Sequence, residues 1–238
     1  MKTYRMNAVM GGLLYILGTV CGIVGGVIGG EVLVSLISGT PLAGVDMLSL
    51  VAAHSSQITG GAFFTLMMGI SLMAMTIFLY PIFRKDSEEL ALGMVLFRGA
   101  LEGTSYFISA LGFLIMIALG NEYVAAGSNL AALQSMGNVM YQFLDLKDPL
   151  GTIVFLMGAT CLYLSFYRTQ LIPRWLTVWG LIGVVLNLAS ALLHFFHVDI
   201  SIGPSLVIPL AIQELVMGGW LIIKGFNQDA VKKLDEAH

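Results

Sequence analysis

The chain has 238 residues, 58% hydrophobic and 11% charged, with a formal net charge of -3 and a mean hydropathy of +0.90. A soluble domain carries roughly 25% charged residues, so this composition excludes a soluble globule, and the lack of a basic run gives no sign of nucleic-acid binding. The two cysteines, Cys21 and Cys161, both lie in apolar stretches and make neither a disulfide framework nor a CxxC metal site.

Six stretches are long enough to cross a hydrocarbon core of about 30 Å. They are approximately 8–28, 60–83, 90–119, 150–167, 175–196 and 205–223. The expected fold is all-α: one polytopic transmembrane domain, a bundle of six helices. The first stretch follows Lys2 and Arg5 and is too long for the apolar region of a signal peptide. Val20 stands just before Cys21 where a lipoprotein cleavage site wants a small residue. It therefore reads as a retained helix. It carries Gly18, Gly22, Gly26 and Gly30 at steps of four, a stripe of bare backbone that permits close helix approach. That stripe serves packing within the bundle or contact with a second copy or another membrane protein.

The segment 29–59 that follows has a weak amphipathic pattern, with Asp46 ahead of Met47, Leu50, Val51 and His54. In the third stretch Arg98 lies about 12 Å in at 1.5 Å per residue. Glu102 is one turn deeper on the same face, continued by Ser105 and Ser109. The segment 120–149 has a clearer amphipathic pattern, with Leu130, Leu133, Met136, Met140, Tyr141 and Leu144 at helical spacing and Ser128 or Asn129 as a cap. A helix lying on the outer leaflet or lidding the bundle is expected there. In the fifth stretch Asn187 falls near mid-depth, and Ser190 and His194 extend its face. In the sixth, Glu214 lies about 15 Å in from Lys224.

The connections sort by charge. Lys2, Arg5, Arg84, Lys85, Arg168, Arg174, Lys224, Lys232 and Lys233 share one side, against Lys147 alone on the other. The positive-inside rule places that side, with both termini, in the cytoplasm of a cell membrane. The bilayer is the one partner the composition demands.

A charge at mid-membrane costs roughly 2.5–3.5 kcal/mol, so three facing lipid would cost on the order of 10 kcal/mol. Arg98, Glu102 and Glu214 are therefore expected to face one another, with Asn187 close by. The cluster is either a ligand or proton site or an ion pair that locks helices together. His54, His194 and His197, with Asp46, Asp148 and Asp199, fall on the outer side. They form a weak metal-ligand set that would suit an outward-facing metal-dependent hydrolase only if they converged. No Walker A loop, GxSxG or HExxH is present. No cofactor is implied, and the reading leans away from an enzyme. It leads to a sensor, accessory or partner-binding membrane component, with a transporter or binding protein for a solute, lipid or proton as the alternative.

Several stretches carry a family resemblance. They are Gly11-Gly12-Leu13-Leu14-Tyr15, Phe97-Arg98-Gly99-Ala100-Leu101-Glu102, Ile172-Pro173-Arg174-Trp175-Leu176 with Trp179-Gly180, and Glu214 through Phe226. In this order they resemble the bacterial and archaeal membrane proteins grouped as domain of unknown function 4386. The resemblance implies a small polytopic protein of one domain and supplies no catalytic residue, substrate or cofactor.

Overall fold

The computed structural model describes residues 2–38, 46–126, 130–198 and 203–236. Asp199, Ser128 and Asn129 lie outside the described residues. The described chain is all-helical: α1 (Lys2–Ser38), α2 (Met47–Ala53), α3 (Ser55–Phe83), α4 (Glu88–Met94), a π-helical segment (Val95–Leu101), α5 (Glu102–Ala125), α6 (Leu130–Thr169), α7 (Arg174–Phe195), a 3-10 turn (Gly203–Val207), α8 (Ile208–Ile223) and α9 (Gln228–Glu236). Six of the resulting helical runs are long and apolar enough to cross a membrane, with α4, the π segment and α5 forming one of them. Val27, Ile77, Val185 and Ile223 are each more than 60% exposed on the outside of the bundle. Such a surface is stable against lipid and not against water.

α1 packs along α3 on one side and α8 on the other; α3 meets α5, α5 meets α6, and α6 meets α7. The first span was expected to stop near Ile28, and the regular helix does break close by. Gly30 has φ 64° and ψ -167°, a region open essentially to glycine alone. Beyond it the chain continues helically to Ser38, where Val32, Leu33 and Leu36 bury themselves against Leu48 and Val51 of α2.

The glycine stripe divides into different roles. A side chain at Gly18 would meet Leu72, and one at Gly22 would meet Met68, both of α3. Gly26 faces open space and Gly30 makes the break. A closer approach lies elsewhere. A Cβ at Gly12 would stand 2.7 Å from the Gly218 carbonyl oxygen, and one at Gly218 would stand 3.2 Å from that of Gly12. α1 and α8 thus touch backbone to backbone.

The expected surface helix over 130–144 is instead the first part of α6, a single helix of 40 residues that runs through Pro149. At 1.5 Å per residue it is about 60 Å long. The charges at 145–148 suggest a loop, yet the helix continues because these side chains find partners. Asp145 receives His194 at 2.8 Å, and the Lys147 ammonium donates to the Ser109 hydroxyl. The missing N–H of Pro149 is a loss that membrane helices tolerate where neighbouring groups satisfy the freed carbonyl.

At the end of the bundle that carries the termini, α9 lays Ala230 and Val231 into the core, and Lys85 pairs with Asp235. The Lys85 ammonium holds the Asp235 carboxyl below its usual range. The apolar interior forms two clusters. One gathers Met94, Leu156, Ala159 and Met217 towards the termini; the other gathers Leu33, Ala110, Phe113 and Leu144 towards the long connections. Arg98 and Glu102, and on α6 Lys147 and Asp148, fall between these clusters.

Candidate functional site

Three helix contacts set the site. The π segment carries Arg98 on a wider turn than an α-helix, a feature frequent at functional sites. Its backbone lies tight against α6: a Cβ at Gly158 would stand 2.4 Å from the Arg98 nitrogen. On its other side Gly99 lies against Thr76 of α3. The Gly12–Gly218 crossing holds Tyr15, three residues after Gly12, opposite Glu214, four residues before Gly218.

Arg98 is 1% exposed and is held from several directions. Its Nη2 donates to the Tyr15 hydroxyl at 2.8 Å and to Glu214 Oε1 at 3.0 Å. Its Nη1 donates to Glu102 Oε2 at 3.3 Å. The Tyr15 hydroxyl donates to Glu214 Oε1 at 2.8 Å, and the Tyr106 hydroxyl donates to Glu102 Oε1 at 3.1 Å. The guanidinium carbon lies 5.0 Å from the Tyr15 ring centre and 4.5 Å from that of Phe155, both within cation–π range. Nε is buried and makes no hydrogen bond among the described residues. One cation thus faces two carboxylates in a buried, aromatic setting.

Arg98, Glu102 and Glu214 come together as the sequence suggests, and Asn187 joins them. All four line a cavity of about 260 Å³ on the side of the ion pairs towards the long connections. Apolar walls come from Met68, Leu72, Phe155 and Leu210, and the partly exposed Ile23 of α1 and Val207 of the 3-10 turn also line it. The cluster is therefore not a sealed contact. The Glu214 side chain is 14% exposed, against 1% for Arg98 and 2% for Glu102. The group most accessible from the cavity is a carboxylate.

A second polar group adjoins the first. A smaller pocket of about 70 Å³ is lined by Glu102, Ser105, Tyr106, Lys147, Asp148 and Thr152. Its volume and polar lining suit two or so waters, each needing roughly 30 Å³ of liquid volume. Lys147 therefore lies half-buried on α6 beside this pocket and not in an outer loop.

The histidines do not converge. His54 Nδ1 sits 2.9 Å from the Leu50 carbonyl oxygen of the preceding helix α2, His194 pairs with Asp145, and His197 follows the end of α7. Among the described residues no three His, Cys, Asp or Glu side chains gather in a metal-holding arrangement. The metal-dependent hydrolase thus lacks the convergence it requires.

The sequence profile of a family described as a domain of unknown function, DUF4386, matches residues 10–225. The chain belongs to this family. No curated protein and no solved structure matches it. The match spans every residue that lines the cavity of this DUF4386 protein.

Tyr15, Tyr106, Phe155 and Lys147 are the site residues that sequence reasoning missed. Tyr106 had a signal, since it stands four residues after Glu102 on the same helical face. Tyr15 and Phe155 had none: aromatic residues are ordinary in membrane helices, and only the α1–α8 and π–α6 contacts bring these two to Arg98.

Proposed function

We propose that this DUF4386 protein is a non-catalytic, multi-pass cell-membrane protein that binds a small organic cation in the cavity beside Glu214. The observation that carries this reading is the cavity itself, with a carboxylate as its most accessible charged group. One guanidinium stands against two carboxylates, so the ionised cluster has a net charge of -1 and attracts a cation. The apolar walls suit the body of an alkylammonium ion, while Thr19 and Asn187 add polar contacts. The volume is near the lower end for small-molecule sites, which limits the ligand to a compact one. The basic connections orient the chain with both termini in the cytoplasm, so the cavity faces the outer half of the bilayer. A sensor or a carrier could each use such a site.

The test is a panel of small alkylammonium ions added to detergent-purified protein, read as thermal stabilisation. Glu214 and Glu102 are the carboxylates that would hold the cation, with Arg98, Tyr15 and Tyr106 as the other polar or charged partners around them. Stabilisation should grow with cation concentration, and Glu214→Gln should abolish it while the protein still folds. If no cation stabilises the wild type, the cluster is an ion pair that only joins helices.

A further inference from the structure

All three tryptophans of the chain meet at one place, the end of the bundle that carries the termini. Trp175 and Trp179 stack at 6.3 Å, and Trp175 meets Trp220 edge-on at 6.5 Å. Trp175 is 54% exposed on the outside of the α7–α8 pair. Indole rings concentrate where membrane meets water, so this cluster marks the headgroup level on one flank of the bundle.

Beside it lies a second cavity, of about 300 Å³, between the α6–α7 turn and the α8–α9 turn. Trp220 forms one wall. Arg174 and Lys224 are its charged lining residues, and no carboxylate belongs to the lining. A third cation stands next to it: the Arg5 guanidinium donates to the Ile222 and Ile223 carbonyls at 2.9 and 3.2 Å and lies against Gly225. Gly225, at φ 70°, leaves room for it. Among the described residues none of the three cations has a carboxylate within ion-pair distance. Two other cations at this end are neutralised, Lys85 by Asp235 and Arg168 by Asp86.

From this juxtaposition we infer that the cleft between Arg174 and Lys224 binds the phosphate of an anionic phospholipid, whose acyl chains run along the tryptophan-lined flank of α7 and α8. Basic pockets between membrane helices at the interface take such headgroups. Arg174 and Lys224 supply charge-assisted hydrogen bonds, Arg5 adds field from beneath, and Trp175 and Trp220 border the glycerol level. The site is separate from the Arg98 cavity.

Native mass spectrometry of the detergent-purified full chain tests this, with phosphatidylglycerol, phosphatidylcholine and inorganic phosphate as probes. Phosphatidylglycerol should bind at least tenfold tighter than phosphatidylcholine, and the difference should shrink as salt rises. A basic residue near a membrane surface contributes about 1 kcal/mol, so Arg174→Gln or Lys224→Gln should each weaken binding about fivefold. Arg84→Gln, at the same end of the bundle but away from the cleft, should leave binding unchanged. Equal binding of the two lipids overturns the inference. So does inorganic phosphate that displaces phosphatidylglycerol at millimolar concentration, which would assign the cleft to a soluble anion. Both side chains are exposed; if a variant does not fold, the comparison of lipids and its salt dependence in the wild type decides the matter.

Discussion

Replacing Arg98 with leucine is expected to cost about 3–5 kcal/mol of stability, the range for removing one partner of a buried ion pair. Among the described residues the guanidinium is the only cation paired with Glu102 and Glu214, at 3.3 and 3.0 Å. Without it two carboxylates share a site of low dielectric, and the Tyr15 hydroxyl loses the donor at 2.8 Å. The loss should come mainly from the stranded carboxylates and not from lost packing. Arg98→Leu combined with Glu102→Gln and Glu214→Gln should therefore be more stable than Arg98→Leu alone, because a neutral replacement of a whole buried ion cluster is often tolerated. Thermal unfolding in detergent of the wild type, the single variant and the triple variant makes the comparison. A triple variant less stable than Arg98→Leu would show that the carboxylates contribute through contacts other than the guanidinium.

The second large effect is expected at Gly158. An added Cβ would stand 2.4 Å from the Arg98 nitrogen and 2.8 Å from its Cα. The obstacle is backbone, which cannot swing aside as a side chain can. Gly158→Ala must push α6 away from the π segment, at a cost of about 1–3 kcal/mol. Because Phe155 lies one turn earlier on α6, the same shift moves a ring that faces Arg98 at 4.5 Å. Gly158→Ala should thus lower both stability and cation binding. Gly219→Ala is the control: nothing lies within 4 Å of its added Cβ, and alanine is favoured over glycine inside a helix by roughly 0.5–1 kcal/mol. Thermal unfolding and ligand-induced stabilisation, read on both variants, check the pair.

How far the sequence revealed this arrangement depended on the kind of signal each residue carries. Arg98, Glu102 and Glu214 stood out because an ionisable side chain in an apolar run has no inexpensive place to go except towards another. Depth from the span ends then put them at one level. The same logic failed at Lys147. Three charges within four residues, 145–148, resemble a loop, and only the pairing of Asp145 with His194 and of Lys147 with Ser109 lets α6 run through them. The break at Gly30 was invisible among so many glycines, because a periodic stripe suggests packing and says nothing of φ. The stripe also drew attention from the tighter contact: Gly12 and Gly218, far apart in sequence, make the backbone crossing that sets Tyr15 against Glu214. The π segment had no signature either. Its widened turn is stabilised by what it packs against, Gly158 and Thr76, and those contacts are tertiary.

The two polar regions also differ in what they ask of the bilayer. The Arg98 cluster lies within the bundle and borders the cavity beside Glu214 and the smaller pocket beside Lys147. The Arg174–Lys224 cleft sits at the rim, where headgroups are available, and would fix the depth of α7 and α8. A chain held at that depth would keep the Glu214 cavity within the hydrocarbon layer, where the cluster's excess negative charge is costly and the proposed cation would offset that cost.

The claim that this cavity is reachable and carries negative charge is tested most directly by a cysteine placed in its wall. Ala211 lines the cavity three residues before Glu214 on α8. In a chain with Cys21→Ala and Cys161→Ala, Ala211→Cys should react in detergent solution with a small cationic thiol reagent about tenfold faster than with an anionic one of similar size, a difference worth roughly 1.4 kcal/mol of local potential. Adding Glu214→Gln should remove that preference. No reaction with either reagent, or an equal rate for both that Glu214→Gln leaves unchanged, would contradict the account and leave Arg98, Glu102 and Glu214 as a buried joint between helices.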